Sequence, residues 1–148
     1  MNENRLEELR EENNLKSKNI AKHLDVHESK YSEWENNKIP IPTKRLIQLA
    51  DFYEVNIDYI LKLTDVKIIC NDKTNINLIE IGNRLRKIRK DMNLSLRELA
   101  DKLNTSFSPL GAYERGERLI QSDTLISLSK ISNYSIDWIL ARNDKKFK

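Results

Sequence analysis

Several residue types in this chain are capable of chemistry, and their spacing decides what they can do. His23 and His27 stand four apart, a separation that puts two imidazoles on one helix face and suits zinc. A turn intervenes between them and no third ligand accompanies them, so the pair does not read as a metal site. Cys70 is the single cysteine; nothing beside it would stabilise a thiolate, and alone it makes no internal disulfide. Glu35 and Glu114 recur 79 residues apart and invite an acid–base reading. No nucleophile, metal cluster or Gly-rich phosphate loop goes with them. Trp34, Tyr113 and Trp138 sit where packing residues belong. The chain does not read as an enzyme, and no cofactor or metal is expected.

What the spacing does specify is an element that presents one helix outward. In Leu94–Arg118, Ser95 and Glu98 form a capping-box pattern, and Leu96, Leu99, Ala100 and Leu103 make a helical apolar stripe. Asn104 stands at a sharp turn, being tolerant of left-handed backbone. Ser106 then reads as the cap of a second helix, with Leu110 and Tyr113 facing the core. Two short helices braced at a steep angle leave the second standing proud, able to enter a DNA major groove.

The same pattern occurs 79 positions earlier and stays in register for about sixty residues. Leu6, Arg10, Leu15, Ala21, Leu24 and Glu35 recur as Leu85, Arg89, Leu94, Ala100, Leu103 and Glu114, and Ile57-Asp58 as Ile136-Asp137. One helical domain is present twice: residues 1–65, a connector at 66–76, and residues 77–148 ending in a basic tail. The expected fold is all-α, five helices per domain. In each domain the outward helix is the third.

Of the 148 residues, 26 are Lys or Arg and 23 are Asp or Glu, for a net charge of +3. The charge is uneven: residues 1–65 hold 10 Lys/Arg against 13 Asp/Glu, and residues 66–148 hold 16 against 10. The second copy is therefore better suited to phosphate. No apolar run reaches membrane-spanning length and no signal peptide is apparent, so a soluble, intracellular protein is expected.

In chain order, Thr43 and Asn56 read as caps of the fourth and fifth helices, with Ser122-Asp123 and Ser135 as their counterparts. The apolar VKIIC run is either a short extended segment or a piece packed on the fifth helix. The helix beginning near Asn77 is longer than its counterpart, with a basic outer face of Arg84, Arg86, Lys87, Arg89 and Lys90. The closing NDKKFK reads as frayed.

Both copies resemble the helix-turn-helix domain of phage repressors and Cro-type regulators, the XRE-like family. The resemblance rests on Leu15, Ile20-Ala21, Leu24, Val26, Tyr31, Trp34-Glu35, Asn36 and ADFYEVNIDYIL in the first copy. In the second it rests on Leu94, Leu99-Ala100, Leu103, Tyr113-Glu114-Arg115-Gly116 and YSIDWIL. It implies a sequence-specific DNA-binding transcriptional regulator, by expectation a repressor from a mobile element, with double-stranded DNA as partner and a homodimer possible. Base edges would be read by His27, Glu28, Ser29, Lys30 and Glu33, and by Ser106, Phe107, Ser108, Pro109 and Ala112. Phosphates would be held by Ser17, Lys18, Asn36, Lys38, Lys44 and Arg45, and by Arg97, Arg115 and Arg118.

The chain departs from the family pattern at particular residues. Leu96 stands where a phosphate-binding Gln is common. Glu28 and Glu33 face DNA with like charge, and neither third helix offers guanine a bidentate Arg. A second reading follows, in which one head binds DNA and the other is a protein-interaction or dimerisation domain, the acidic first copy being the candidate for protein contact.

Overall fold

Apolar residues at helical spacing, punctuated by Asn, Asp and Pro, divide the chain into short helices. The computed structural model describes residues 3–148; Met1 and Asn2, assigned above to the first domain, lie outside the described residues. The chain folds as two compact units that divide between Lys73 and Thr74. The first holds α1 (Leu6–Glu12), α2 (Ser17–His23), α3 (Glu28–Glu35), α4 (Thr43–Tyr53) and α5 (Ile57–Ile60). The second holds α6 (Leu78–Asp91), α7 (Leu96–Lys102), α8 (Phe107–Glu114), α9 (Ser122–Ser132) and α10 (Ile136–Ile139). Regular structure among the described residues is all-α, apart from two isolated β-bridges.

Each unit closes its own core. Leu6, Leu9, Ile20, Tyr31, Leu46, Leu49, Ile57 and Ile60 are buried in the first, and Ile81, Ile88, Ile120, Leu125, Ile136 and Ile139 in the second. The joints are left-handed single residues: Asp25 (φ 55°) and Asn104 (φ 54°) make the helix-turn-helix corners, and Asn37 (φ 59°) and Gly116 (φ 74°) follow the outward helices.

The repeat extends to its polar fastenings. Arg5 donates to the carbonyls of Tyr59 and Thr64 while its guanidinium lies 4.2 Å from the Tyr59 ring centroid. Arg84, 79 residues on, does the same with Trp138 and Asn143, at 4.8 Å from the Trp138 ring. Arg84 and Arg89 are thus turned inward, with side chains 17% and 16% exposed. The outer face of α6 keeps only Arg86, Lys87 and Lys90 of the five cations expected there.

Some caps form as expected and others do not. Ser95 and Glu98 make the reciprocal box, Ser95 Oγ accepting from Glu98 N at 3.1 Å and Glu98 Oε1 from Ser95 N at 3.0 Å. Ser135 accepts from Trp138 N. Thr43 and Ser122, by contrast, are the first helical residues and are buried, because Pro42 and Gln121 supply the first accepting carbonyls. Asn56 stands at the α5 cap but turns its side chain away, donating to the Val66 carbonyl and accepting from Ile68 N.

Those last bonds belong to an element of each unit that we term the return strap. After α5 the chain doubles back: Val55 bridges Ile69, and Cys70 N donates to the Glu54 carbonyl at 2.9 Å. After α10, Tyr134 bridges Phe147, Ser135 N donates to the Lys146 carbonyl at 2.7 Å, and the Phe147 ring lies 4.7 Å from that of Tyr134. The tail expected to fray is pinned, because its backbone is paired and its Phe has an aromatic partner.

Candidate nucleic-acid interface

The site is built around α3 in the first unit and α8 in the second, and each is held at its C-terminal end by an ion pair. Arg10 on α1 meets Glu35 at 2.8 Å and donates to the Leu15 carbonyl; Arg89 on α6 meets Glu114 at 2.7 Å and donates to the Leu94 carbonyl. One guanidinium therefore ties the first helix, the entry of the second and the end of the third. Glu35 and Glu114 are only 8% and 5% exposed in their side chains, so the bonds form largely out of water. Hydrogen bonding to Glu35 and to Glu114 raises the Arg10 and Arg89 pKa values above the ordinary arginine value. The recurrence of Arg10 as Arg89 signalled these partners, but sequence alone did not pair them with the glutamates.

The second unit adds two fastenings. Arg86 also reaches Glu114, at 3.4 Å. α6 is fourteen residues long against seven for α1, and its extra length passes directly over the end of α8. Gly82 permits that approach, because a Cβ there would overlap the carbonyl oxygens of Glu114 and Tyr113. In the first unit Asn4 does this work instead, donating from Nδ2 to the Trp34 carbonyl and to Asn37.

The opposite, N-terminal ends are open to solvent. Ser106, Phe107 and Ser108 are exposed and Pro109 is partly so, whereas Ala112 is buried within the unit. Ala112 is therefore withdrawn as a base reader: its position on the helix faces the core beside Tyr113. Ser106 makes no side-chain cap bond. Pro109 occupies the third helical position, where a capping hydroxyl would seek an N–H, and proline has none. Arg97, at the start of α7, lays its guanidinium 4.3 Å from the Phe107 ring centroid.

In the first unit His27, Glu28, Ser29 and Lys30 are exposed and Glu33 is partly so. His27 caps α3, its Nδ1 accepting from Ser29 N at 3.3 Å and lying 2.9 Å from Ser29 Oγ. His23 packs against Phe52, with ring centroids 4.4 Å apart. The two histidines therefore have separate structural surroundings.

The residues expected to hold phosphate are unequally placed. Lys18, Lys38 and Lys44 are exposed and Ser17 is partly so. Asn36 is exposed but folds back to the Ser32 carbonyl and hydroxyl. Arg45 is committed elsewhere, donating to the Leu24 carbonyl at 2.7 Å and to Gln48, which closes the end of α2. Arg97, Arg115 and Arg118 are exposed; Arg115 pairs with the equally exposed Glu117 at 2.8 Å, and Arg118 lies 6.0 Å from the Tyr113 ring.

Two units, each with a capped helix, a left-handed corner and an outward helix bolted at its far end, define a tandem helix-turn-helix protein. Comparison with known proteins agrees: residues 4–66 match the model of a helix-turn-helix domain, and residues 85–139 match a second helix-turn-helix model. Each unit is thus a helix-turn-helix domain, in keeping with its resemblance to phage repressors and Cro-type regulators. It is 35% identical over 66 residues to the HTH-type transcriptional regulator ImmR of Bacillus subtilis (strain 168), covering 45% of this chain and 52% of ImmR. It is 36% identical over 61 residues to the uncharacterized HTH-type transcriptional regulator YobD of the same organism, covering 41% of this chain and 54% of YobD. The chain thus spans about half the length of these curated relatives. Among solved structures, the clp gene regulator ClgR of Corynebacterium glutamicum aligns with a TM-score of 0.41 at 29% identity, over 46% of this chain and 72% of that one. The restriction-modification controller protein C.AhdI of Aeromonas hydrophila aligns at 0.39 and 27% identity, over 42% of this chain and 94% of that one.

Proposed function

We propose that the protein is a sequence-specific DNA-binding transcriptional regulator, a repressor, that uses two helix-turn-helix heads. The reading is carried by one observation made twice: the outward helix is fastened at its C-terminal end while its first turn stands in solvent. A helix held that way lies in a major groove with its first turn against base edges. His27, Glu28, Ser29, Lys30 and Glu33 read bases in the first head, and Ser106, Phe107, Ser108 and Pro109 in the second. Ser17, Lys18, Asn36, Lys38 and Lys44 hold phosphates in the first, and Arg97, Arg115 and Arg118 in the second. Duplex DNA is the partner, the protein acts in the bacterial cytoplasm, and two heads on one chain raise effective concentration at a pair of half-sites.

A second reading is favoured by the charge difference between the copies, with Glu28 exposed on α3 and no acidic residue in the first turn of α8. In it the second head binds DNA and the first contacts protein. Affinity for a duplex selected from a randomised pool, measured against salt, separates the two. If both heads bind, a variant lacking Arg97, Arg115 and Arg118 and one lacking Lys18 and Lys38 each lower the logarithmic salt slope by about 0.9 for every phosphate no longer neutralised. A change confined to the arginine variant selects the second reading, and failure to enrich any duplex overturns both.

A further inference from the structure

We propose that Phe107, clamped by Arg97, reads the 5-methyl group of a thymine, so that the second head demands this base at one position of its site. The inference rests on the DNA-binding reading above and specifies what the open end of α8 recognises.

Phe107 is the first residue of α8, and 43% of it is exposed. It does not serve the core beneath, which Leu110 and Tyr113 fill from the same helix. Its ring is nevertheless not loose, because the Arg97 guanidinium covers it at 4.3 Å, a cation–π interaction between two adjoining helices of the motif. That clamp restricts the rotamer and leaves the remaining ring surface to face outward.

The neighbours narrow the ligand chemistry further. Ser106, Ser108 and Pro109 add two hydroxyls and a pyrrolidine ring, and no charged side chain lies between 106 and 109. The Phe107 ring is the apolar part of this patch, with the Arg97 guanidinium over it and a hydroxyl on either side. The major-groove edge offers donors and acceptors from every base, but only thymine adds an apolar group, its C5 methyl. The same position in the first head, 79 residues earlier, is Glu28, an acceptor suited to the cytosine N4 amino group. The two heads therefore ask for different bases at the same place in the groove, and the full site is not a repeat of one half-site.

Replacing thymine by uracil removes the methyl and nothing else from the base pair. The test takes full-length protein and a duplex selected from a randomised pool, substitutes uracil for each thymine in turn, and measures Kd for wild type, F107A and R97A. At one position wild type binds the uracil duplex about fourfold more weakly, the factor for one methyl-sized group left unburied. F107A binds the thymine and uracil forms alike at that position. R97A shows a reduced ratio there, together with a lower salt slope. Melting curves confirm that F107A is folded. The inference is overturned if no thymine methyl matters, or if F107A keeps the wild-type ratio. A pool yielding no duplex overturns the DNA-binding reading as well, so the two failures are distinguishable.

Discussion

Tyr134 donates its phenolic hydrogen to Asp91 Oδ2 at 2.6 Å, and Lys87 approaches the same carboxylate at 3.0 Å. The bond to Asp91, aided by burial, pushes the Tyr134 phenol up to about 12, while the Tyr134 and Lys87 bonds hold Asp91 below its ordinary value. The signs are opposite for the two groups. A raised phenol contributes stability in full below its unfolded value near 10, and loses it as pH climbs through about 12. A depressed carboxylate contributes above its unfolded value near 4 and loses it as pH falls through the lower folded value. In the first unit, burial pushes Tyr53 up to about 12 as well. Thermal melts across pH 3–12 should show a plateau from mildly acidic pH to about 10, then a decline on the alkaline side. Y134F should flatten part of that decline and weaken the acid limb, with Y53F flattening another part of the alkaline one. A wild-type alkaline limb in the double variant would contradict this assignment.

Among the elements, α8 shows how two glycines can have opposite meanings. A Cβ at Gly82 meets backbone carbonyls that cannot move without displacing the end of α8. A Cβ on Gly111, inside α8, meets at close range only the flexible guanidinium of Arg115, at 2.9 Å, and Leu96 at an ordinary 3.9 Å. G82A should therefore destabilise by about 1–3 kcal/mol, as overpacking does. G111A should stabilise by about 0.5–1 kcal/mol, the helix-propensity difference. Urea unfolding midpoints check both, and a stabilised G82A would refute the close packing of α6 on α8. Local pattern was readable where side chain and backbone agree, as in the Ser95/Glu98 box and the Asn104 corner. It failed at Ser106, where Pro109 removes the expected N–H, and at Thr43, where the carbonyl of Pro42 opens the helix one residue early. Cap residues announce a helix start to within a residue; which hydroxyl makes the bond depends on neighbours.

For the whole chain, the repeat was readable because the matching residues are the ones that make cores and fastenings: Leu6 with Leu85, Arg10 with Arg89, Glu35 with Glu114. The return straps were readable only in part: VKIIC allowed an extended segment, but the Asn56 and main-chain bonds that hold it, and the pairing of KKFK in the second unit, leave no mark in the pattern. The connector expected at 66–76 thereby divides: the first unit runs on to Lys73, and residues 66–70 fasten to it through Val66, Ile68, Ile69 and Cys70. A fragment spanning 1–73 should be more stable than one spanning 1–65 by about 1–3 kcal/mol, the net worth of a few hydrogen bonds. Chemical denaturation followed by circular dichroism measures the difference, and equal stabilities would deny the strap a structural part. The Arg–Glu fastening, meanwhile, separates inheritance from innovation. That ion pair lies at the C-terminal end of the outward helix, and both copies retain it. The other end carries His27, Glu28 and Lys30 in one copy and Ser106, Phe107 and Pro109 in its twin. Substitutions there leave the Arg–Glu pair intact, so one scaffold used twice can carry two different surfaces at its open ends.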